Sequence, residues 1–187
     1  ASLNQYPIKA LGNGSAAYYH LMVEAIKKSL LQRNRELRDP ARDNWDYLAA
    51  IEPFSIDQNQ AMPWNEVGQP ADTIWMAATD KQGRTACLMQ SLFHDFGSGC
   101  MIGDTGILWS NRAAGFNQNP MHPNAWAPGR RPANTLNPSC YLADNGQQML
   151  FGSQGGDGQP QTQLILATQL VDFQQSIEEA LNAPRFL

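Results

Sequence analysis

In the stretch GQPADTIWMAATD (residues 68–80), a polar, proline-punctuated loop ends on Asp72 and an apolar strand opens on Thr73. A threonine inside a chain is a poor nucleophile, and as the first residue of a strand it has an ordinary structural use. Cutting the Asp72–Thr73 bond changes its chemistry. The freed α-amine, with an unperturbed pKa near ~7.7–8.0, can take the proton of the hydroxyl on its own residue. Such a nucleophile also needs donors for the oxyanion it creates. The glycine cluster FGSQGGDG (151–158) exposes backbone N–H groups of the kind that hold an anion, a phosphate or the oxygen of a reacting carbonyl. A plain strand-to-helix turn has the same composition. The cluster is not a P-loop, because no Gly-Lys-Ser/Thr follows. FGSGCMIGDTG (96–106) reads first as a tight connection.

Other chemistries find less in the chain. There is no Gly-x-Ser-x-Gly, and His20, His94 and His122 are scattered, so a serine or cysteine nucleophile with a histidine base has little support. His20 and Glu24 lie one helical turn apart and could share a metal ion, but no third ligand is in view and a helix-surface pair is the simpler reading. Arg112 and the pair Arg130-Arg131 could grip a carboxylate, since a guanidinium matches two oxygens at once, or stand on a solvated face. Cys87, Cys100 and Cys140 are odd in number and lack metal-ligand spacing, which predicts core thiols rather than a disulfide framework or zinc site.

These groups must be positioned by helices, then strands, then helices. Over 15–37, Tyr18, Leu21, Met22, Ala25, Ile26 and Leu30 recur at three- and four-residue intervals on one buried stripe, with Ser15 as N-cap and Pro40 as the stop. RDNWDYLAAI and SIDQNQAM, within 41–62, are two shorter helical candidates. PWNEVGQPAD (63–72) is the best linker. TIWMAATD and TACLMQSLF flank Gly83 as a hairpin, GILWSN (106–111) is a third strand, and SCYLA and QQMLFGS pair around Asp144-Asn145-Gly146. The segment 112–137 reads as an ordered loop. QTQLILATQLVDF (161–173) is an amphipathic helix after Pro160, and Ser176 with Glu179 makes a capping box for a last one. The order predicts a layered α+β fold.

With 187 residues, 42% of them hydrophobic, the chain can build a real core. Its net charge of −4 offers no field for phosphates, so nucleic acid is not an expected partner. No apolar run is long enough to span a bilayer, which predicts no membrane partner, and the opening residues do not read as a signal peptide. The compartment stays open.

The blocks YYHLMVEAIKKSLLQRNRELRDP (18–40), DTIWMAATDKQG (72–83), FGSG (96–99), GILWSN, GRRPANTLNP (129–138), GSQGG (152–156) and NAPRF (182–186) resemble, in order and separation, the γ-glutamyltranspeptidase family of N-terminal-nucleophile hydrolases. The resemblance implies part of an αββα sandwich with antiparallel sheets, incomplete at both ends. It divides the chain into 1–72, the helical end of a large-subunit region with its linker, and 73–187, a small-subunit region opening at the nucleophile. An opening ASLNQY without methionine suits a processed or excised piece, and family members extend both upstream of the helix and beyond NAPRF.

Position by position, the resemblance makes Thr73 the residue that first cleaves its own chain after Asp72 and then attacks substrate. Ser91 stands where the family keeps a second hydroxyl, usually a threonine's, that supports the nucleophile's amine, and Gly155 and Gly156 where paired N–H groups form the oxyanion hole. The substrate pocket departs from the family pattern. Phe93 stands for an asparagine, Arg112 for a glutamine, Gly115 for the aspartate that meets the substrate α-amine, and Asn134 and Thr135 for a serine pair that grips the α-carboxylate. The implied activity is acyl transfer from a small-molecule amide or γ-glutamyl-type substrate, as hydrolase or acylase rather than transpeptidase. No cofactor or metal is called for, and the partner is the rest of its own large-subunit region. A non-catalytic binding module or inert fragment of the same fold stays open on the sequence alone.

Overall fold

A short helix α1 (Ile8–Leu11) leads into α2 (Ala16–Glu36), whose start is set by Ser15. The Ser15 hydroxyl accepts from the Tyr18 N–H at 3.0 Å and donates to the Leu11 carbonyl at 2.6 Å, so the side chain supplies partners that the first turn lacks. The predicted stripe is the buried one. Tyr18, Leu21, Met22 and Ala25 cluster with Ile8, Ile56 and Ile165. Burying a leucine, isoleucine or methionine side chain of this cluster stabilises the fold by roughly 1.5–3 kcal/mol. The Tyr18 hydroxyl, fully buried, meets Thr168 Oγ1 at 2.7 Å, and burial raises its pKa. The helix ends as Leu37 turns extended ahead of Pro40.

The computed structural model describes residues 2–64 and 71–186. They fall into two compact units, one of Ala1–Glu66, Gly115–Ala133 and Leu164–Phe186, the other of Val67–Ala114 and Asn134–Gln163. Among the described residues, helices and two antiparallel two-stranded sheets make the fold α+β, as expected. No helix among the described residues is long and apolar enough to cross a membrane.

In the first unit, α3 (Tyr47–Ala50) is one turn capped by Asp46, shorter than the sequence predicts. The helix expected over SIDQNQAM does not form, because Asp57 Oδ1 accepts from the N–H groups of Asn59 and Gln60 and turns the chain. The linker placed at 63–72 lies mostly outside the described residues. Glu24, almost fully buried, ties the neighbouring segment to α2 by accepting from Lys27 Nζ at 2.7 Å and the Met62 N–H at 3.0 Å. Burial pushes its carboxyl up, but these two bonds outweigh that and leave it below its usual range. His20 Nε2 contacts the Asp57 carbonyl at 2.9 Å, so each member of the candidate metal pair is held by other groups.

Asp39, 3% exposed, fastens the loop before β3 to the end of α2. It accepts from the Arg131 N–H at 2.9 Å and from its guanidinium at 2.8 and 3.0 Å, and Arg130 pairs with Asp43 at 2.9 Å. The Arg131 main-chain bond, then its guanidinium, hold the Asp39 pKa down to about 2. The folded carboxyl thus titrates below the unfolded one, at about 3.9. The stabilisation is complete above about pH 4 and fades as pH falls toward 2. In acid titrations followed by denaturant unfolding, Asp39→Asn should flatten the pH dependence in that window and leave the slope above it unchanged.

In the second unit, β1 (Asp72–Thr79) and β2 (Thr85–Phe93) form a hairpin, and β3 (Ser139–Leu142) pairs with β4 (Gln148–Phe151). Asp80 closes the first turn by accepting from the N–H groups of Gln82 and Arg84, each at 2.9 Å. Ile74, Met76 and Leu88 lie more than two-fifths exposed on one face of the hairpin. GILWSN is not a regular strand: only Met101 and Leu108 form a bridge, and Ser98, Ile102 and Trp109 N–H groups bond irregularly across it. Cys100 and Cys140 are exposed and Cys87 half-buried, which corrects the expectation of core thiols. Helix α4 (Gln159–Ala167) begins in this unit and runs on into the first, where it widens into a π turn over Thr168–Asp172 and the Thr168 hydroxyl bonds back to Leu164 and Ile165. Also in the first unit, α5 (Ile177–Asn182) carries the predicted capping box.

Candidate active site

The hairpin register places Thr73. From Thr79↔Thr85 to Ile74↔Gln90 the pairing is regular, but Asp72 faces Phe93, so Ser91 and Leu92 together oppose Thr73. This is a β-bulge, a device that re-aims side chains at the end of a sheet. Its consequence is local. The Ser91 hydroxyl turns onto the Asp72 carbonyl and donates to it at 2.5 Å, while accepting from the Phe93 N–H at 2.8 Å. The carbonyl of the bond expected to break is therefore already polarised by a donor.

The glycine loop comes to the same strand end. The Gly155 N–H donates to the Ala71 carbonyl at 3.2 Å, and the Gly156–Gly158 turn runs directly into α4. Gly156 is buried. At the fourth residue of β1, the Trp75 indole covers Gly152, where any Cβ would overlap the ring. Trp75 Nε1 donates to Cys87 Sγ at 2.8 Å, which fixes the indole against the strand. Thus the first residues of β1 and the 152–156 loop are held together from both sides. An open cleft of about 870 Å³ borders Asp72, Thr73, Ser91, His94 and Phe96. His94 Nε2 and Ser153 Oγ are buried without a hydrogen-bond partner among the described residues.

A second group forms around Arg112. Its Nη1 donates to Thr135 Oγ1 at 3.2 Å, and its guanidinium carbon lies 4.3 Å from the centre of the Phe93 ring. Burial lowers the Arg112 pKa and the charge of Asp157 opposes that shift. Phe93 itself, at φ 80°, adopts a backbone conformation rare for a side chain of its size and stacks on His94 with ring centres 4.4 Å apart. Asn134 is exposed and accepts from the Leu136 N–H in a local turn, apart from the Arg112–Thr135–Phe93 contacts. Arg130 and Arg131 are taken up by Asp43 and Asp39. Gly115 leaves no space for a larger residue, since a Cβ there would come within 2.9 Å of the Ala133 carbonyl.

Sequence reasoning missed Gln159. Fully buried at the start of α4, it donates from Nε2 to Thr73 Oγ1 at 3.3 Å. The available signal was a pair of glutamines, Gln159 and Gln163, one turn apart on the buried side of an apolar helix.

The profile of the gamma-glutamyltranspeptidase family matches residues 1–187. The chain belongs to that family. It is 38% identical over 187 residues to the oxamate amidohydrolase proenzyme of Klebsiella pneumoniae, covering 96% of this chain and 35% of that protein. It is 34% identical to the glutathione hydrolase-like YwrD proenzyme of Bacillus subtilis, covering 99% of this chain and 36% of the relative. Among solved structures, cephalosporin acylase from Bacillus halodurans shares the fold with a TM-score of 0.74 at 24% identity, over 96% of this chain and 34% of the acylase. The chain therefore spans about a third of the length of these relatives.

Proposed function

We propose that the protein is an autoprocessing amidohydrolase whose nucleophile is Thr73. The observation that carries this reading is the Ser91 hydroxyl on the Asp72 carbonyl, with Thr73 beside it in the bulge. In maturation, Thr73 Oγ attacks the Asp72 carbonyl carbon and the peptide C–N bond breaks as the acyl group moves from nitrogen to oxygen. Water then cleaves the ester, leaving an Asp72 carboxylate and a free Thr73 amine and hydroxyl. The division into 1–72 and 73–187 follows from that step. Both curated relatives named above are called proenzymes, in keeping with it.

In turnover the same hydroxyl attacks a substrate amide and the α-amine accepts its proton. The N–H groups of Gly155 and Gly156 hold the oxyanion, the α-amine passes that proton to the leaving nitrogen as the C–N bond breaks, and water then releases the acid. Before cleavage the Gly155 donor is occupied by Ala71, so removal of the segment ending at Asp72 frees it. A single lost oxyanion donor typically costs about 3–4 kcal/mol, which makes the occupied loop a reason for the uncut chain to be inactive on substrate.

The acyl group we assign is one that carries a carboxylate and lacks an α-amine, such as a glutaryl-like chain, held by Arg112. Arg112 and Phe93 are cationic and apolar, and neither gives a glutamyl α-ammonium a counter-charge. The named activity of the Klebsiella relative, on oxamate, is also toward an amide bearing a carboxylate. Steady-state assays on the full-length protein test this. Arg112→Ala should lower kcat/KM for glutaryl amides by about 10- to 100-fold, the range of one charge-assisted contact, and hardly change it for a neutral acyl amide. Faster turnover of γ-glutamyl than of glutaryl amides by the native enzyme contradicts the assignment.

A further inference from the structure

We infer that Gln159 is a further catalytic residue, one that donates a hydrogen bond to the oxygen of the nucleophile. The inference rests on the reading of Thr73 given above. An isolated contact of 3.3 Å would say little, but the amide of Gln159 cannot face the other way. Its Oε1 accepts from the main-chain N–H of Asn137 at 3.2 Å, and that N–H can only donate. The NH2 end is thereby aimed at Thr73 Oγ1. Asn137 is itself fixed: its Nδ2 donates to the Thr135 carbonyl at 2.6 Å and its carbonyl accepts from Gln163 Nε2 at 2.8 Å. Gln163 in turn accepts from the Ser139 hydroxyl at 2.6 Å. With both amide ends of the buried Gln159 and Gln163 in use, the network holds one geometry.

The chemical consequence concerns the proton. A hydroxyl has one hydrogen and two lone pairs. With one lone pair of Thr73 Oγ on Gln159, its hydrogen must point elsewhere, and in the cut chain the α-amine is on the same residue to receive it. The other lone pair forms the bond to the acyl carbon. In deacylation the α-amine takes a proton from the water that adds to that carbon, the C–Oγ bond breaks, and that proton passes to Oγ. Gln159 then donates to an oxygen that is gathering negative charge, as Gly155 and Gly156 do for the carbonyl oxygen. Because Thr135 also accepts from Arg112, the same network links the carboxylate-binding arginine to the nucleophile.

Gln159→Met and Gln159→Glu in the full-length protein, purified as the fully split enzyme, test the assignment. Gln159→Met removes the donor at similar volume and should lower kcat roughly 10- to 100-fold with KM within about twofold. Gln159→Glu keeps the shape but places an anion beside the α-amine. That stabilises the ammonium, so the rising limb of kcat/KM against pH should move up by about one unit. A role in packing alone leaves that limb in place. Should Gln159→Met fail to fold, the near-isosteric Gln159→Glu decides by its limb. Native-like kcat in the first variant, or an unmoved limb in the second, overturns the proposal. A native protein that neither splits before Thr73 nor hydrolyses amides overturns instead the reading on which it rests.

Discussion

Replacing Thr73 by alanine in the full-length protein is expected to leave one uncut chain and to reduce amide turnover by roughly 10⁴-fold or more, the scale seen when a nucleophile is removed from a preorganised site. Two losses combine. Alanine has no oxygen to attack the Asp72 carbonyl, so the α-amine is never freed, and the uncut segment keeps the Gly155 N–H on the Ala71 carbonyl. Thr73→Ser retains the oxygen and should still split. Intact mass and a chromogenic amide assay read both outcomes. Splitting before residue 73 in the alanine variant would mean that the nucleophile lies elsewhere.

The second large effect is expected at Ser91. Its hydroxyl polarises the Asp72 carbonyl at 2.5 Å in the uncut chain, so Ser91→Ala should slow splitting by roughly 10²- to 10³-fold, the effect of losing one donor to a developing oxyanion. The Phe93 N–H also loses its acceptor, at a stability cost of about 1 kcal/mol, which is too small to unfold the protein. Ser91→Thr restores both bonds and should restore the rate. A time course of chain splitting after purification of the precursor measures this directly. Splitting of Ser91→Ala at the native rate would show that the bond is incidental to maturation.

Local signals were legible where short-range chemistry decides the structure. Ser15, the Tyr18–Leu30 stripe, the hairpin turn at Gly83 and the Ser176–Glu179 capping box each depend on residues within a few positions of one another. SIDQNQAM failed for an equally local reason, since Asp57 offers the backbone a turn in place of a helix. The exposed Cys100 and Cys140 show the limit of reading burial from residue type alone.

The candidate site was readable as a set of residues but not as an arrangement. Nothing in TACLMQSLF announces that Ser91 and Leu92 share one partner, because a bulge depends on the pairing of two strands. Nor does a glutamine at the head of a helix announce which oxygen it meets. Its partners, Thr73 and Asn137, lie far from it along the chain. The resemblance supplied Thr73, Ser91 and the glycine pair, and the geometry added the carbonyl, the donor and the network that joins them.

The most direct test of the central claim is the N-terminal residue of each polypeptide in purified full-length protein, read by intact mass and sequencing. The account predicts two chains, the second beginning at Thr73. A single uncut chain that hydrolyses amides would contradict it.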